Sequence, residues 1–416
     1  MNRQLRKYLK TRATTSPWQI EGTSRTDFSS AIIIPAFAER DNLPATLDSL
    51  CLNPAEYLTQ TLLVIVVNNR ANTAADQFEN NQKNLAWLRS NPYPQLNLAW
   101  VDASSPGLEL PAKDGVGLAR KIGFDASLQL FDWKVKPLLI SLDADTLVDQ
   151  HYLATISDHF ALSKNGAAVI PFRHQSISIF AQEAAIRHYE LYLRSYLFGL
   201  QLAGSPYAYH SIGSAFACRA ETYMKAGGMN RRCGGEDFYF LQQLTKTSGT
   251  EIVDGTVVRP SSRFSNRVPF GTGKAVQAQV DEGIASFYFI PVAGFQILKD
   301  WFELIDHQWN HAAEKISRQA LNISPVLYKF LTELSFIQIW EKLQDNHSSR
   351  EQRLAAFHNW FDALRTRQLL TRIEINSDPS SERRVAELLS WGGHSGIDKD
   401  VDQLELLEQW QGVQRE

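Results

Sequence analysis

The chain has 416 residues, of which 44% are hydrophobic, and a formal net charge of −3. That length suits two or three domains of ~150 residues each, and the apolar share suits buried cores. The near-neutral charge argues against a dedicated nucleic-acid binder, and three cysteines with no C-x-x-C spacing indicate neither a zinc site nor a disulfide framework.

The opening stretch, MNRQLRKYLKTR, is basic but lacks the apolar core of a signal peptide. It reads as an exposed tail, or as a peripheral contact with an anionic membrane surface. No run reaches the ~18 apolar residues of a membrane span. The nearest, residues 284–298, is broken by Pro291, Gly294 and Gln296 and reads as a buried helix or loop. A reducing, cytoplasmic setting is expected, with the inner face of the membrane as the peripheral alternative.

After a polar arm over residues 1–29, AIIIP at 31–35 predicts a buried strand. Leu43, Leu47 and Leu50 then fall at helical spacing. TLLVIVV at 61–67 predicts a second buried strand, stopped by Asn68 and Asn69. A helix follows at 74–88, a short strand at 96–101 and a helix at 115–130. PLLISL at 137–142 is the fourth strand and ends in LDAD, with Asp143 and Asp145 spaced i, i+2. In an extended backbone those two side chains point the same way, so both can face one hard, oxygen-seeking cation. An isolated D-x-D is more often a pair of solvated turn residues or a helix cap. Residues 169–171 are a candidate start of another strand, and 178–202 read as a long amphipathic helix with Tyr189, Tyr192 and Tyr196 along one side, a spacing typical of core packing. A helix is expected to start at Glu236 and Asp237, and residues 250–258 read as a strand or hairpin. From about residue 276 the pattern turns to long helices. Strands alternating with helices predict an α/β fold with a mostly parallel sheet.

The order of these pieces resembles the GT-A glycosyltransferases, specifically glycosyltransferase family 2. The resemblance rests on IIIPAFAERDNLPATLDSL at 32–50, VIVVNN at 64–69, GLARKIGFDASL at 117–128, LDAD at 142–145 and GGEDFYFLQQL at 234–244. It covers roughly residues 30–275, with residues 276–416 as a helical C-terminal region. It implies a Rossmann-like GT-A sheet, a nucleotide-diphosphate sugar donor, a divalent ion (Mn²⁺ or Mg²⁺) and an acceptor hydroxyl on a glycan, glycolipid or small solute.

Ligands of open α/β sheets bind outside the carboxyl ends of the strands. Pro35, Ala36, Glu39, Asn68, Asp102, Asp143 and Ala144 fall at or near such ends. In the family, the acid matching Asp143 faces ribose and metal, and the acid matching Asp145 binds the metal. The family usually has an Asp pair where this chain has Asn68 and Asn69, and an amide there offers both donor and acceptor to a base edge. Lys113 and Arg120 flank a Gly-rich turn into a helix that suits a diphosphate or ribose, or forms a solvated basic face. Glu236 and Asp237 match the family's ED pair, with Asp237 in the base position. The helix start is expected to keep Asp237 ionised and intrinsically weak as a base. Arg263 and Arg267 belong to a basic, glycine-containing loop suited to closing over a diphosphate. No histidine lies between His210 and His307 to serve as a further metal ligand, and His210 itself is a lone histidine. Q-x-x-R-W, carried by processive members, is absent. The residues thus point to an inverting, non-processive transferase, against a non-catalytic sugar-nucleotide-binding scaffold or a sugar nucleotidyltransferase. The last usually has a G-x-G-T-R-like loop after strand one, where this chain has PAFAER.

Overall fold

A computed structural model describes residues 3–14, 16–263, 276–277, 280, 288–373 and 381–413. Two compact units emerge: Met1–Ile186 with Tyr209–Ile284 and Gln411–Glu416, and Arg187–Ala208 with Ala285–Trp410.

Among the described residues, the first unit holds ten strands: β1 (Ile20–Glu21), β2 (Ser30–Ala36), β3 (Thr61–Asn68), β4 (Asn97–Ala103), β5 (Leu138–Ser141), β6 (Leu147–Val148), β7 (Ala167–Val169), β8 (Phe216–Arg219), β9 (Thr250–Ile252) and β10 (Val258–Arg259). Eight of them form one sheet in the order β1-β4-β3-β2-β5-β8-β7-β9. The stretch β4-β3-β2-β5 is parallel, and β7 pairs parallel with β9. Strands β1 and β8 run antiparallel to their neighbours. Every residue of β2 and β3 is buried. Their unbroken Ile, Leu and Val runs fit strands covered on both faces.

The accompanying helices are α1 (Arg3–Thr11), α2 (Leu43–Cys51), α3 (Ala55–Leu58), α4 (Ala75–Arg89), α5 (Val116–Ser127), α6 (Tyr152–Leu162), the start of α7 (Phe180–Leu202), whose residues from Arg187 on belong to the second unit, α8 (Ala220–Lys225) and α9 (Glu236–Ser248). Helix α2 buries Leu43, Thr46, Leu47 and Leu50, the i, i+3, i+4, i+7 stripe read from the sequence. Residues 250–258 are not a hairpin. Strand β9 extends the large sheet beside β7, and β10 pairs antiparallel with β6 just beyond the LDAD turn. The polar arm also holds structure. Leu5 and Tyr8 of α1 are buried, and Tyr8 donates to Asp125 at 2.8 Å. Asp125 is itself fully buried, pairs with Lys121 at 3.0 Å and accepts from Tyr223 at 2.8 Å.

The second unit is helical. Its helices include Val292–His307, Pro325–Glu333, Phe336–Asn346, Arg350–Trp360 and Ala363–Leu370. Local chemistry starts several of them. Ser324 accepts from the amides of Val326 and Leu327 ahead of Pro325, Ser349 caps Gln352, and Asp362 caps Arg365. Trp301, Trp340, Phe336, Phe357 and Phe361 fill its centre. The Trp301 ring lies 5.3 Å from Phe336 and 5.7 Å from Phe357, edge to face. Tyr192 and Tyr196 pack on Phe289 and Phe295, so the tyrosine side of α7 is core. Among the described residues, no helix is long and apolar enough to cross a membrane.

Candidate active site

Two groups of charged side chains gather in the first unit, beyond the carboxyl ends of its parallel strands. The first is centred on Arg120. Helix α5 is buried on most of its surface, and Arg120 keeps only 2% exposure. A buried guanidinium must find partners. Arg120 pairs through Nη2 with Asp143 and through Nη1 with Glu236, and its Nε donates to Ser141 Oγ at 3.0 Å. Ser141 in turn donates to the Gly213 carbonyl at 2.6 Å. One side chain thus joins the end of β5, the start of α5 and the start of α9. Gly117 makes this approach feasible. A Cβ there would sit 2.6 Å from the Arg232 carbonyl and 2.8 Å from that of Asn230, in the loop leading to α9.

The second group is centred on Arg263. Its Nε and Nη2 donate to Asp145 Oδ2 at 2.9 and 2.7 Å, and Nη2 also pairs with Glu39 Oε1. Asn42 donates to the other Glu39 oxygen at 2.8 Å, fixing that carboxylate. Two carboxylate oxygens from β2–α2 and β5–β6 therefore converge on one positive centre.

The LDAD segment leaves the extended conformation after Ser141 and turns. The amide of Thr146 bonds back to the Asp143 carbonyl at 3.2 Å. This turn, rather than a straight strand end, sends Asp143 toward Arg120 and Asp145 toward Arg263. The two carboxylates take different arginine partners, and the Asp143 charge still reaches Asp145. The turn is pinned on both sides. Thr46 of α2 donates to the carbonyl of the buried Ala144 at 3.0 Å, and Gln175 donates to the carbonyls of Asp145 at 2.9 Å and Arg259 at 2.8 Å.

Burial pushes Asp145 up to about 6, helped by the Glu39 charge and opposed by Arg263. Burial pushes Glu236 up to about 7, with Arg120 opposing and Asp237 adding to the rise. Asp237 is also raised by burial, against Arg120 and the Phe238 amide that donates to it at 2.7 Å. Burial thus raises the Asp237 carboxyl despite its place at a helix start, where it was expected to stay ionised.

Other expected positions fall elsewhere. Pro35 and Ala36 are the last residues of β2, registered against Val66 and Val67. The loop after them carries Ala38 in the left-handed region, φ 54°, with its amide bonded to Asn81 at 2.9 Å. Asn81 of α4 also bonds to the Asn68 carbonyl and the Asn69 side chain, at 3.0 and 2.8 Å. The Asn68 amide nitrogen is turned back to the Val66 carbonyl at 3.0 Å. Asp102 closes a turn, accepting from both Ser104 and Ser105. Burial alone would raise its carboxyl, but those bonds hold it below the usual range. Lys113 is exposed on the turn before α5, while neighbouring Asp114 is buried against Arg231. His210 lies against Phe172 and bonds Gln411 at 3.0 Å. Arg267 and the rest of residues 264–275 lie outside the described residues.

The sequence reading did not single out Ser141, Gln175 or Asn81. A signal existed for the Arg120 network, because α5 is apolar on most sides yet carries Arg120, Lys121 and Asp125, which demands internal ion pairing. Among the described residues, no cluster of three or more acidic, histidine or cysteine side chains could hold a metal. Glu39 and Asp145 still fit a small hard ion, which takes one or two protein carboxylates and completes its shell with phosphate and water. Their oxygens already share one cation, the Arg263 guanidinium.

No protein-family model matches the chain, and no curated protein does. Among solved structures, the chain is similar to nucleotide-sugar glycosyltransferases. One is S. aureus TarS 1–349 in complex with UDP-GlcNAc, at 9% identity and a TM-score of 0.40, covering 80% of this chain and 91% of that one. Another is the mannosyltransferase PcManGT from Pyrobaculum calidifontis with GDP-Man and Mn²⁺, at 15% identity and a TM-score of 0.40, covering 86% and 93%. A third is GalNAc-T7 with UDP, GalNAc and Mn²⁺, at 15% identity and a TM-score of 0.36, covering 74% and 54%. At such identities no residue role passes from those proteins to this chain.

Proposed function

We propose that the chain is a glycosyltransferase that moves a sugar from a nucleotide-diphosphate donor to an acceptor hydroxyl. One observation carries the reading. Arg120, buried, pairs with Asp143 on the LDAD turn and with Glu236 at the start of α9, so the two acidic motifs belong to one centre. An ordinary surface D-x-D and an ordinary helix-capping acid pair would not share a buried counter-ion.

The donor lies against the LDAD turn, with Asp143, Ala144, Asp145 and Glu39 around its diphosphate and ribose. Asp145 and Glu39 would hold the divalent ion, which when bound supplies positive charge to the leaving diphosphate. Mn²⁺ and Mg²⁺ both suit these oxygen donors. Asp237 accepts the proton of the acceptor hydroxyl. The acceptor oxygen forms its bond to the anomeric carbon from the opposite side as the bond to the diphosphate breaks, which inverts the anomeric centre. Glu236, held by Arg120, positions this end of α9 and keeps Asp237 beside the reaction. Arg120 acts through these two acids as a positioning residue. The lack of Q-x-x-R-W favours single addition over processive synthesis.

The test is release of UDP or GDP from a panel of nucleotide sugars over a panel of glycan, glycolipid and small-solute acceptors. Asp237→Asn is expected to lose transfer by ~100-fold or more, the usual contribution of a general base, while still binding donor. Unchanged turnover would sink the base assignment. The second reading, a binding protein without transfer, draws on Asn68 and Asn69 in place of acids and on arginines paired with Asp143 and Asp145. Donor binding with no transfer to any acceptor would favour it.

A further inference from the structure

We propose that Arg263 is the resident cation of the donor site, filling the position between Glu39 and Asp145 until a divalent ion and a nucleotide diphosphate arrive together. This deepens the donor-site reading above and rests on it.

The geometry is that of a counter-ion seat. Asp145 Oδ2 takes two donors from Arg263, and Glu39 Oε1 takes one of the same nitrogens. Glu39 cannot turn away easily, because Asn42 holds its second oxygen. A divalent ion seeking these two oxygens meets the Arg263 guanidinium in the same place, and two cations cannot share it. The charge count favours exchange only when phosphate is present. Glu39 and Asp145 carry two negative charges, and Arg263 offsets one. A divalent ion offsets both but sets the arginine free. A diphosphate then gives the freed guanidinium a partner, for which its forked donors are suited.

The exchange needs a side chain to swing, not a backbone to refold. The backbone before Arg263 is anchored. Arg259 pairs with Asp149, and Gln182 donates to the Ser262 carbonyl at 2.7 Å. Gln175 bonds both the Arg259 and Asp145 carbonyls, so the seat and the segment that fills it are one assembly. The Arg263 side chain itself keeps 29% exposure, against 3% for Arg120. Arg120 is locked and Arg263 can leave.

The consequence is that Mn²⁺ alone binds poorly, and Mn²⁺ and diphosphate strengthen each other. Calorimetric titration of the full chain with Mn²⁺ alone, then with UDP and GDP in the presence and absence of Mn²⁺, tests this in wild type, Arg263→Gln and Arg263→Lys. Arg263→Gln is expected to bind Mn²⁺ alone ~10-fold tighter or more, within the usual range of coupling between sites, and to lose most of the strengthening by nucleotide. Arg263→Lys keeps one positive charge and is expected to stay near wild type in the Mn²⁺-only titration. Equal or weaker Mn²⁺ binding by a folded Arg263→Gln protein overturns the proposal, as does Mn²⁺ binding to neither protein. Failure of the donor-site reading looks different. UDP and GDP would then bind no variant under any condition, whatever the Mn²⁺-only titrations show.

Discussion

Replacing Arg120 by methionine removes a buried charge while keeping much of its volume. Arg120 is the counter-ion of Glu236, which is 4% exposed, and of Asp143, whose side chain is 36% exposed. Asp143 can take up water when its partner is lost. Glu236 cannot, and breaking one side of such a buried pair costs about 3–5 kcal/mol. The cost depends on pH. Burial already places the folded-state Glu236 at about 7, above its ordinary 4.5, so its contribution to stability falls as pH rises through that interval. Without Arg120 the folded value moves higher still, and the fall continues above pH ~7 at up to about 1.4 kcal/mol per unit. Near pH 6 Glu236 is largely protonated in both proteins. The loss there is about 1–2 kcal/mol, mainly from the hydrogen bonds to Ser141 and Asp143. Near pH 8.5 it should reach about 3–5 kcal/mol. Urea unfolding followed by circular dichroism at both pH values reads this directly. A loss below about 1 kcal/mol at the higher pH, or one that does not change with pH, would refute Arg120 as the shared counter-ion.

Gly228 has φ +82°, and a Cβ there would lie 1.9 Å from Tyr8 Oη. Gly228→Ala is expected to cost about 1–3 kcal/mol locally and to loosen α1, read as earlier tryptic cleavage within residues 3–12. An unchanged digest would show that Tyr8 does not hold the helix. Phe357 is fully buried amid Trp301, Phe302, Phe361 and Trp340. Phe357→Ala should cost the helical unit about 3–5 kcal/mol, seen as a lower melting temperature, and a wild-type melt would contradict that packing.

Strands β2 and β3 were legible because both faces are covered, which leaves a continuous apolar run with no alternation to confuse. The core helices were legible through Leu43, Leu47 and Leu50 and through the aromatic spacing on α7. What sequence could not give was the partner of each charge. Arg263 and Glu39 are 224 positions apart, and Arg120 and Glu236 are 116 apart. Arg120 looked like a basic residue at a helix start, ready for phosphate, whereas its helix packs against β2, β3 and α9 and its charge is paired internally with Asp143 and Glu236. The N-terminal arm hid α1 for a similar reason. Nine residues with two buried side chains give little periodic signal, and their anchor, Asp125, is 117 positions from Tyr8. Residues 250–258 read as a strand or hairpin; the strand is there as β9, but Val258 pairs with Val148 of β6, just beyond the LDAD turn.

Calorimetric titration with UDP, GDP and common nucleotide sugars, with and without Mn²⁺, in wild type and Asp145→Ala, tests the donor site most directly. The expected result is nucleotide binding that needs Mn²⁺ and is abolished by Asp145→Ala. No binding of any donor to the folded wild-type protein would contradict the account and leave the acidic centre as structure without transfer.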